Sequence, residues 1–140
     1  HGFDMRYAEH VKQCIQTHRY RKNNQPQSLE AKILFDADKL DASGAIGIAR
    51  SLLYKGIVSE PLYSVLPNGL VSTGENDDTP SFFQEYKYKL ENLYSKFYTK
   101  KAAAMGKERQ HIAVEFYNRL YEEVNSSYED GINELNKIIK

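Results

Sequence analysis

Apolar residues recur at steps of three and four along most of the chain, the spacing of one face of an α-helix. The pattern predicts a first helix over 4–21, with Asp4 as its N-cap, and a second helix over 28–42, capped by Ser28. A short third helix follows and ends at Gly56. No useful length of the chain alternates with the period of a β-strand. The pattern therefore predicts an all-α fold.

The second half of the chain begins with a predicted loop over 57–79, where Pro, Gly, Asn and Asp residues typical of turns accumulate. A loop of this length is either a functional lid or a plain surface excursion. The pattern then predicts a helix over 80–97 with Thr79 as its cap, a long helix over 99–124 and a short last helix over 128–139.

Composition limits the functions that the chain can have. Its 140 residues are expected to form one helical domain over 1–140, divided into 1–56, the loop, and 80–140. The formal net charge is zero, so no electrostatic footprint for nucleic acid or an acidic membrane is expected. Cys14 is the one cysteine and lies on an apolar stripe, which favours a core position and a reducing compartment, the cytoplasm. No apolar run is long enough to span a membrane.

Three carboxylates interrupt the apolar segment of the second helix: Asp36, Asp38 and Asp41. Asp is unfavourable inside a helix and costly to bury unpaired. Asp38 and Asp41 share one face, and Asp36 falls towards the other flank. The apolar stripe that they flank, which we expect to be buried, consists of Leu29, Ile33, Ala37, Leu40 and Gly44. Small residues over 43–49 would allow another backbone to approach closely. The trio is either a cation site or a solvated acidic face.

His18 stands at the end of the apolar stripe of the first helix and is followed by basic residues. Its imidazole is either a core or helix-end group, favourable near the C-terminal dipole, or a ligand or phosphate contact near Asp38. Arg19, Arg21 and Lys22 either form a solvated helix end or receive an anionic substrate, because Arg makes bidentate contacts with phosphate.

The ordered segments CIQTHRYR (14–21), SLEAKILFDADKLDASGAIGIAR (28–50) and TPSFFQEYKYKLENLYSKF (79–97) resemble the HD-domain superfamily of metal-dependent phosphohydrolases. They are most similar to a group of stand-alone, mostly uncharacterised bacterial HD hydrolases. The resemblance implies an HD-domain-like helical bundle with long C-terminal helices. It also implies hydrolysis of a phosphate ester, in particular a nucleotide, and therefore a small phosphorylated substrate as partner.

The resemblance implies roles for individual residues. Asp38 matches the family's last metal ligand, in a segment of the type Ala-Asp-Lys-Leu. Lys39 and Asp41 would then have catalytic roles, Asp41 by ordering a metal-bound water or a substrate group. His18, with Arg19 and Arg21, would bind the substrate phosphate. The implied cofactor is a divalent metal ion, and manganese, iron, magnesium, nickel and zinc all suit mixed His and Asp ligands.

The chain departs from the family pattern at its start. The family's first His and its His-Asp pair are expected before His18, but the chain contains no His-Asp pair and begins with His1 instead of Met. We therefore expect an N-terminally truncated HD domain whose remaining ligands lie elsewhere. The alternative is a non-catalytic helical interaction module, or a degenerate HD domain that has lost the site. A homodimer is a further possible assembly.

Overall fold

The computed structural model describes residues 2, 4–19 and 24–139, and these residues are mainly helical. Their only strand-like pairing is an isolated antiparallel bridge between Val65 and Val71. The predicted all-α fold is confirmed. The α-helices are α1 (Met5–Thr17), α2 (Leu29–Asp41), α3 (Gly44–Ile57), α4 (Phe82–Glu85) and α5 (Lys100–Ile139).

The starts of α1 and α2 follow the capping residues in the sequence. The Asp4 carboxylate accepts a hydrogen bond from the Arg6 amide at 2.9 Å. The Ser28 hydroxyl accepts one from the Ala31 amide at 3.1 Å. Each bond satisfies an amide that the first helical turn leaves without an intrahelical partner. Both predicted N-caps are confirmed.

The two first helices turn an apolar side towards solvent. Leu29 is 63% exposed and Ile33 is 52% exposed, whereas Ala31, Phe35 and Asp36 are the buried residues of α2. The expectation that the Leu29 stripe is buried is therefore wrong. Periodicity finds an apolar stripe, but the contacts of Phe35 and Asp36 with the start of α5 decide which side of α2 faces inward.

Most of the apolar stripe of α1 is also exposed to solvent. Cys14 and Thr17 are buried, so the predicted core position of Cys14 is confirmed, but Tyr7, Val11 and Ile15 remain exposed. Polar and sulfur groups mark the contact between α1 and α2. The Cys14 Sγ atom lies 3.9 Å from both the His10 Nε2 atom and the Ser28 Oγ atom, and His10 Nε2 lies 3.4 Å from the Glu30 carboxylate.

The main core lies between α3, α4 and α5. Tyr86 stacks on Tyr117 with ring centroids 4.1 Å apart and planes 5° apart, and the Phe83 ring meets Tyr117 edge-on at 5.5 Å. Aromatic pairs of this kind add to the free energy of apolar burial. The buried members of this cluster are Ile48, Val71, Phe82, Phe83, Tyr86, Leu90, Leu93, Ala113 and Tyr117.

The predicted helix over 80–97 is interrupted. Its N-cap is Ser81, not Thr79, because the Ser81 hydroxyl accepts the Gln84 amide at 3.1 Å. After α4 the backbone widens into a π-helical turn over Tyr86–Leu90 and then a 3₁₀ turn over Leu93–Ser95. The wide turn keeps Tyr86, Leu90 and Leu93 together in the core, as the predicted apolar stripe requires.

The two predicted C-terminal helices are one continuous helix. α5 runs for 40 residues through the Ser126-Ser127 pair, where a boundary was expected. No Pro interrupts this stretch, and serine costs little inside a helix. Residues 129–139 are all exposed, so the end of α5 extends beyond the packed part of the molecule.

The connection between α3 and α4 is held closely against the core. Val71, Ser72 and Gly74 are buried, and the Tyr117 hydroxyl donates a hydrogen bond to the Thr73 carbonyl oxygen. A Cβ atom on Gly74 would lie 2.2 Å from the Phe83 carbonyl carbon, and the Gly74 φ angle is +83°. Only glycine suits this position.

Candidate functional site

The candidate site is the end of α2 and its turn into α3, and α5 fixes this turn. The Arg109 guanidinium donates to the Leu40 carbonyl oxygen at 2.6 Å and to the Ser43 hydroxyl at 3.3 Å. Gly44 has a φ angle of +62°, and its amide donates to the Tyr94 hydroxyl at 2.9 Å. The carbonyl at the end of α2 thus gains a cationic partner, which also suits the helix dipole.

Asp36 has a structural position in this arrangement. It is 2% exposed, and its two oxygens accept the Tyr98 amide at 2.9 Å and the Thr99 amide at 2.7 Å. The N-cap of α5 is Thr99, whose hydroxyl accepts the Ala102 amide at 3.3 Å. Asp36 of α2 therefore holds the two residues that lead into α5, and its negative charge opposes the positive end of the α5 dipole.

Asp38 and Lys39 form a pair at the edge of α2. The Asp38 side chain is 38% exposed, and its Oδ2 atom lies 3.2 Å from the Lys39 Nζ atom. The Lys39 side chain is only 17% exposed, and its ammonium lies 4.7 Å from the centre of the Phe35 ring. A solvent-accessible carboxylate thus stands directly beside a partly buried cation, whose position is restricted by the aromatic ring.

Asp41 points to a different partner. It forms an ion pair with Arg50 of α3, and both side chains are more than half exposed. A pair in this setting contributes little to the free energy of folding. The three carboxylates therefore have three separate partners. Within the parts of the chain that the structure describes, no three His, Cys, Asp or Glu side chains gather to hold a metal ion. The three carboxylates thus do not form one cluster, and a cation-binding role of Asp38 stays a prediction.

The predicted phosphate-binding residues lie at and beyond the end of α1. His18 is the C-cap of α1, and its Nδ1 atom contacts the Ile15 carbonyl oxygen. Its place matches the helix-end interpretation. Arg19 is exposed beside it. Arg21 and Lys22 lie outside the described residues.

The described residues do not by themselves fit a divalent metal ion. A site of the HD type uses several imidazole and carboxylate ligands, and Asp38 offers one carboxylate, already paired with Lys39. Arg109 and Tyr94, which hold the turn next to Asp38, were not predicted from the sequence. Their partners are 69 and 50 positions away in the chain, so no local pattern signals them.

No family model matches the chain. Among curated proteins, the uncharacterized protein YpgQ of Bacillus subtilis (strain 168) is 30% identical over 100 residues. The matched part is 71% of this chain and 42% of YpgQ. The chain thus spans less than half of the curated relative.

Solved structures match most of the chain. The crystal structure of Bacillus subtilis YpgQ has a TM-score of 0.70 and 28% identity, over 88% of this chain and 57% of YpgQ. YpgQ has also been crystallised in complex with ADP. An HD-superfamily hydrolase from Bacillus thuringiensis has a TM-score of 0.62 and 25% identity, over 89% of this chain and 56% of that hydrolase. The fold is HD-like. This likeness covers α-helical elements on both sides of the candidate site and is consistent with the resemblance of the sequence.

In the described part of the chain, no helix combines the length and the apolar character needed to cross a bilayer.

Proposed function

We propose that this chain is part of an HD-type, metal-dependent phosphohydrolase that acts on a phosphate ester, with a nucleotide as the substrate. The observation that carries the proposal is Asp38, solvent-accessible beside Lys39 at the end of α2, within an HD-like fold. The ADP complex of Bacillus subtilis YpgQ supports a nucleotide. In this proposal residues 1–140 belong to one helical domain of a cytoplasmic enzyme, which can form a homodimer.

Each site residue has a stated role in the proposal. Asp38 supplies one carboxylate ligand to a divalent metal ion, and the other ligands come from residues outside the described ones or from another chain. Lys39, whose ammonium lies 3.2 Å from the Asp38 carboxylate, binds a phosphate oxygen in this proposal. Asp41 orients a water or a substrate group once it leaves Arg50. His18, Arg19 and Arg21 bind the remaining phosphate oxygens.

A second candidate function is a non-catalytic helical interaction module. The exposed apolar side chains of α1 and α2, among them Tyr7, Val11, Leu29 and Ile33, favour it. Large apolar patches on a monomer commonly mark a surface that another protein covers. This function needs no metal ion, so metal analysis separates the two candidates.

The test compares Asp38→Asn with Asp78→Asn, an exposed loop carboxylate, in the protein as its gene encodes it. Metal content is measured by elemental mass spectrometry together with the intact mass, and hydrolysis is assayed on ADP and simple phosphate esters. We expect bound metal near one equivalent in the native protein and in Asp78→Asn. We expect its loss, together with hydrolysis, in Asp38→Asn, because a metal site loses affinity with each missing ligand.

If the Asp38→Asn variant still binds metal stoichiometrically, Asp38 is not one of the metal ligands. A native protein without metal or hydrolysis would contradict the phosphohydrolase and favour the interaction module. In the 140-residue chain alone, we expect only weak metal binding, because its described residues do not gather three ligands.

A further inference from the structure

The surface around Asp38 carries an arginine that has no role so far. Asp41 lies three residues after Asp38 in α2, so the two carboxylates share one side of the helix. Arg50, in the second turn of α3, forms an ion pair with Asp41. This pair places the Arg50 guanidinium on the side of α2 that carries Asp38. The neighbourhood of Asp38 thus contains two cations, Lys39 and Arg50.

The Arg50 guanidinium can change its partner at little cost. The Arg50 side chain is 60% exposed and the Asp41 side chain is 59% exposed. Ion pairs exposed to this degree contribute little to the free energy of folding, so a stronger acceptor can replace Asp41. Phosphate is such an acceptor, because it carries up to two negative charges and accepts two parallel N–H bonds from the planar guanidinium.

Arg109, the second arginine that contacts the end of α2 or the turn after it, is committed to the fold. It is partly buried, and its guanidinium donates to the Leu40 carbonyl oxygen at 2.6 Å and to the Ser43 hydroxyl at 3.3 Å. Removing these bonds would release the turn between α2 and α3. Arg50 has no comparable duty, since its described partner is an exposed carboxylate. Of the two guanidinium groups, that of Arg50 is therefore the one available to a ligand.

A phosphate group at Asp38 needs a cation at its own end of α2. The Cys14 Sγ atom lies 3.9 Å from the Ser28 Oγ atom, so the end of α1, with His18, lies towards the start of α2. Asp38 is ten residues after Ser28, which is about 15 Å along the helix axis. His18 is therefore placed to contact a more distant part of an extended substrate. Arg50 lies at the same end of α2 as Asp38.

We propose that Arg50 binds a phosphate oxygen of the substrate beside Asp38, and that this phosphate replaces Asp41 as the partner of the guanidinium. The inference rests on the proposed function, because it needs a phosphorylated substrate at Asp38. Before substrate binds, the pair with Asp41 restricts the Arg50 side chain, so less conformational freedom is lost on binding. The exchange also releases the Asp41 carboxylate for its own contact with water or substrate.

The test measures the dissociation constant of the methylene analogue of ADP, which resists hydrolysis between its two phosphates, by isothermal titration calorimetry. The protein is used as its gene encodes it. We expect Arg50→Gln to weaken binding at least about tenfold, because it removes a charge-assisted contact. Arg50→Lys should lose less, because it keeps the charge but not the planar fork. The matched control is Arg119→Gln, an exposed arginine of α5 that pairs with Glu115, and its affinity should equal that of the native protein.

Asp41→Asn tests the exchange of partners, because its expected effect has the opposite sign. Without the competing carboxylate, Arg50 should bind the analogue more tightly, by less than about fivefold since the exposed pair is weak. This gain should disappear in the double variant Asp41→Asn, Arg50→Gln. A pair that only joins α2 to α3 would not give opposite effects in the two single variants.

The outcomes separate this inference from the proposed function. If the native protein binds the analogue and Arg50→Gln binds it equally well, the role of Arg50 is overturned and the proposed function stands. An equal loss of affinity in Arg119→Gln would show a general effect of charge and would also overturn it. If the native protein binds no analogue, both this inference and the nucleotide substrate of the proposed function are overturned. Circular dichroism checks that each variant keeps its helices.

Discussion

Asp36 is the residue whose removal we expect to cost most among the three carboxylates of α2. Asp36→Ala leaves the Tyr98 and Thr99 amides without their carboxylate, in a site that water does not reach. Hydrogen bonds to a charged group contribute about 1.5–3 kcal/mol each, so we expect the loss of both to lower the free energy of unfolding by about 3–6 kcal/mol. Urea denaturation of the native chain and of Asp36→Ala measures this difference in the free energy of unfolding.

Asp41→Ala is the matched control, since it removes a carboxylate from the same helix. Its exposed pair with Arg50 should contribute less than about 1 kcal/mol. Equal losses in the two variants would contradict the assignment of Asp36 as the group that holds the segment before α5.

Asp77, in the connection between α3 and α4, makes the free energy of unfolding depend on pH at acid pH. Hydrogen bonds from the Ser64 and Ser72 hydroxyls lower the pKa of the Asp77 carboxyl from 3.8 to about 2. A lowered pKa means that the ionised carboxylate stabilises the folded state above pH 3.8. This contribution is lost as the pH falls from 3.8 towards 2.

We therefore expect Asp77→Asn to be less stable than the native chain at pH 6, and the gap to close towards pH 2. Denaturant unfolding at a series of pH values measures it, with Asp78→Asn as the control. A gap that stays constant between pH 6 and pH 2 would contradict the shifted pKa.

At the scale of single elements, α5 contains two glycines with opposite surroundings. A Cβ atom on Gly106 would lie 2.2 Å from the Phe97 ring, whereas one on Gly131 would meet nothing within 4 Å. Alanine is favoured over glycine inside a helix by about 1 kcal/mol. We expect Gly131→Ala to stabilise the chain by about that amount, and Gly106→Ala to destabilise it because the Phe97 ring must move.

Thermal unfolding followed by circular dichroism compares the two variants with the native chain. Stabilisation by both substitutions would show that the Phe97 ring moves at little cost, and that Gly106 has no packing role.

Helix starts were predictable where the capping group is local, as at Asp4 and Ser28, because an N-cap bonds an amide two or three residues away. The side of each helix that faces the core was not predictable for α1 and α2. Their apolar stripes are real, yet Leu29 and Ile33 face solvent, and the buried side is chosen by partners far along the chain. The boundary inside α5 was wrong because serines alone do not end a helix.

For the whole molecule, the resemblance led to the HD-like fold and to Asp38, and the fold is confirmed. The role of Asp38 stays a prediction. Sequence spacing could not separate it from Asp36, because the partners that enclose Asp36, the Tyr98 and Thr99 amides, stand 62 and 63 positions later in the chain. Burial distinguishes them: Asp36 is enclosed and capped by amides, and Asp38 is open to solvent beside Lys39.

The hydrogen bonds that join α2 to α5 also bear on how the chain is made. During synthesis α2 leaves the ribosome early. The residues that hydrogen-bond to α2 and to the turn after it leave the ribosome much later; these are Tyr94, Tyr98, Thr99 and Arg109. Until synthesis passes Tyr94, the segment that carries Asp38 has none of these hydrogen-bond partners, and until it passes Arg109 the set is incomplete. A nascent chain shorter than this would present the helix without its final anchoring, so the candidate site is completed late in translation.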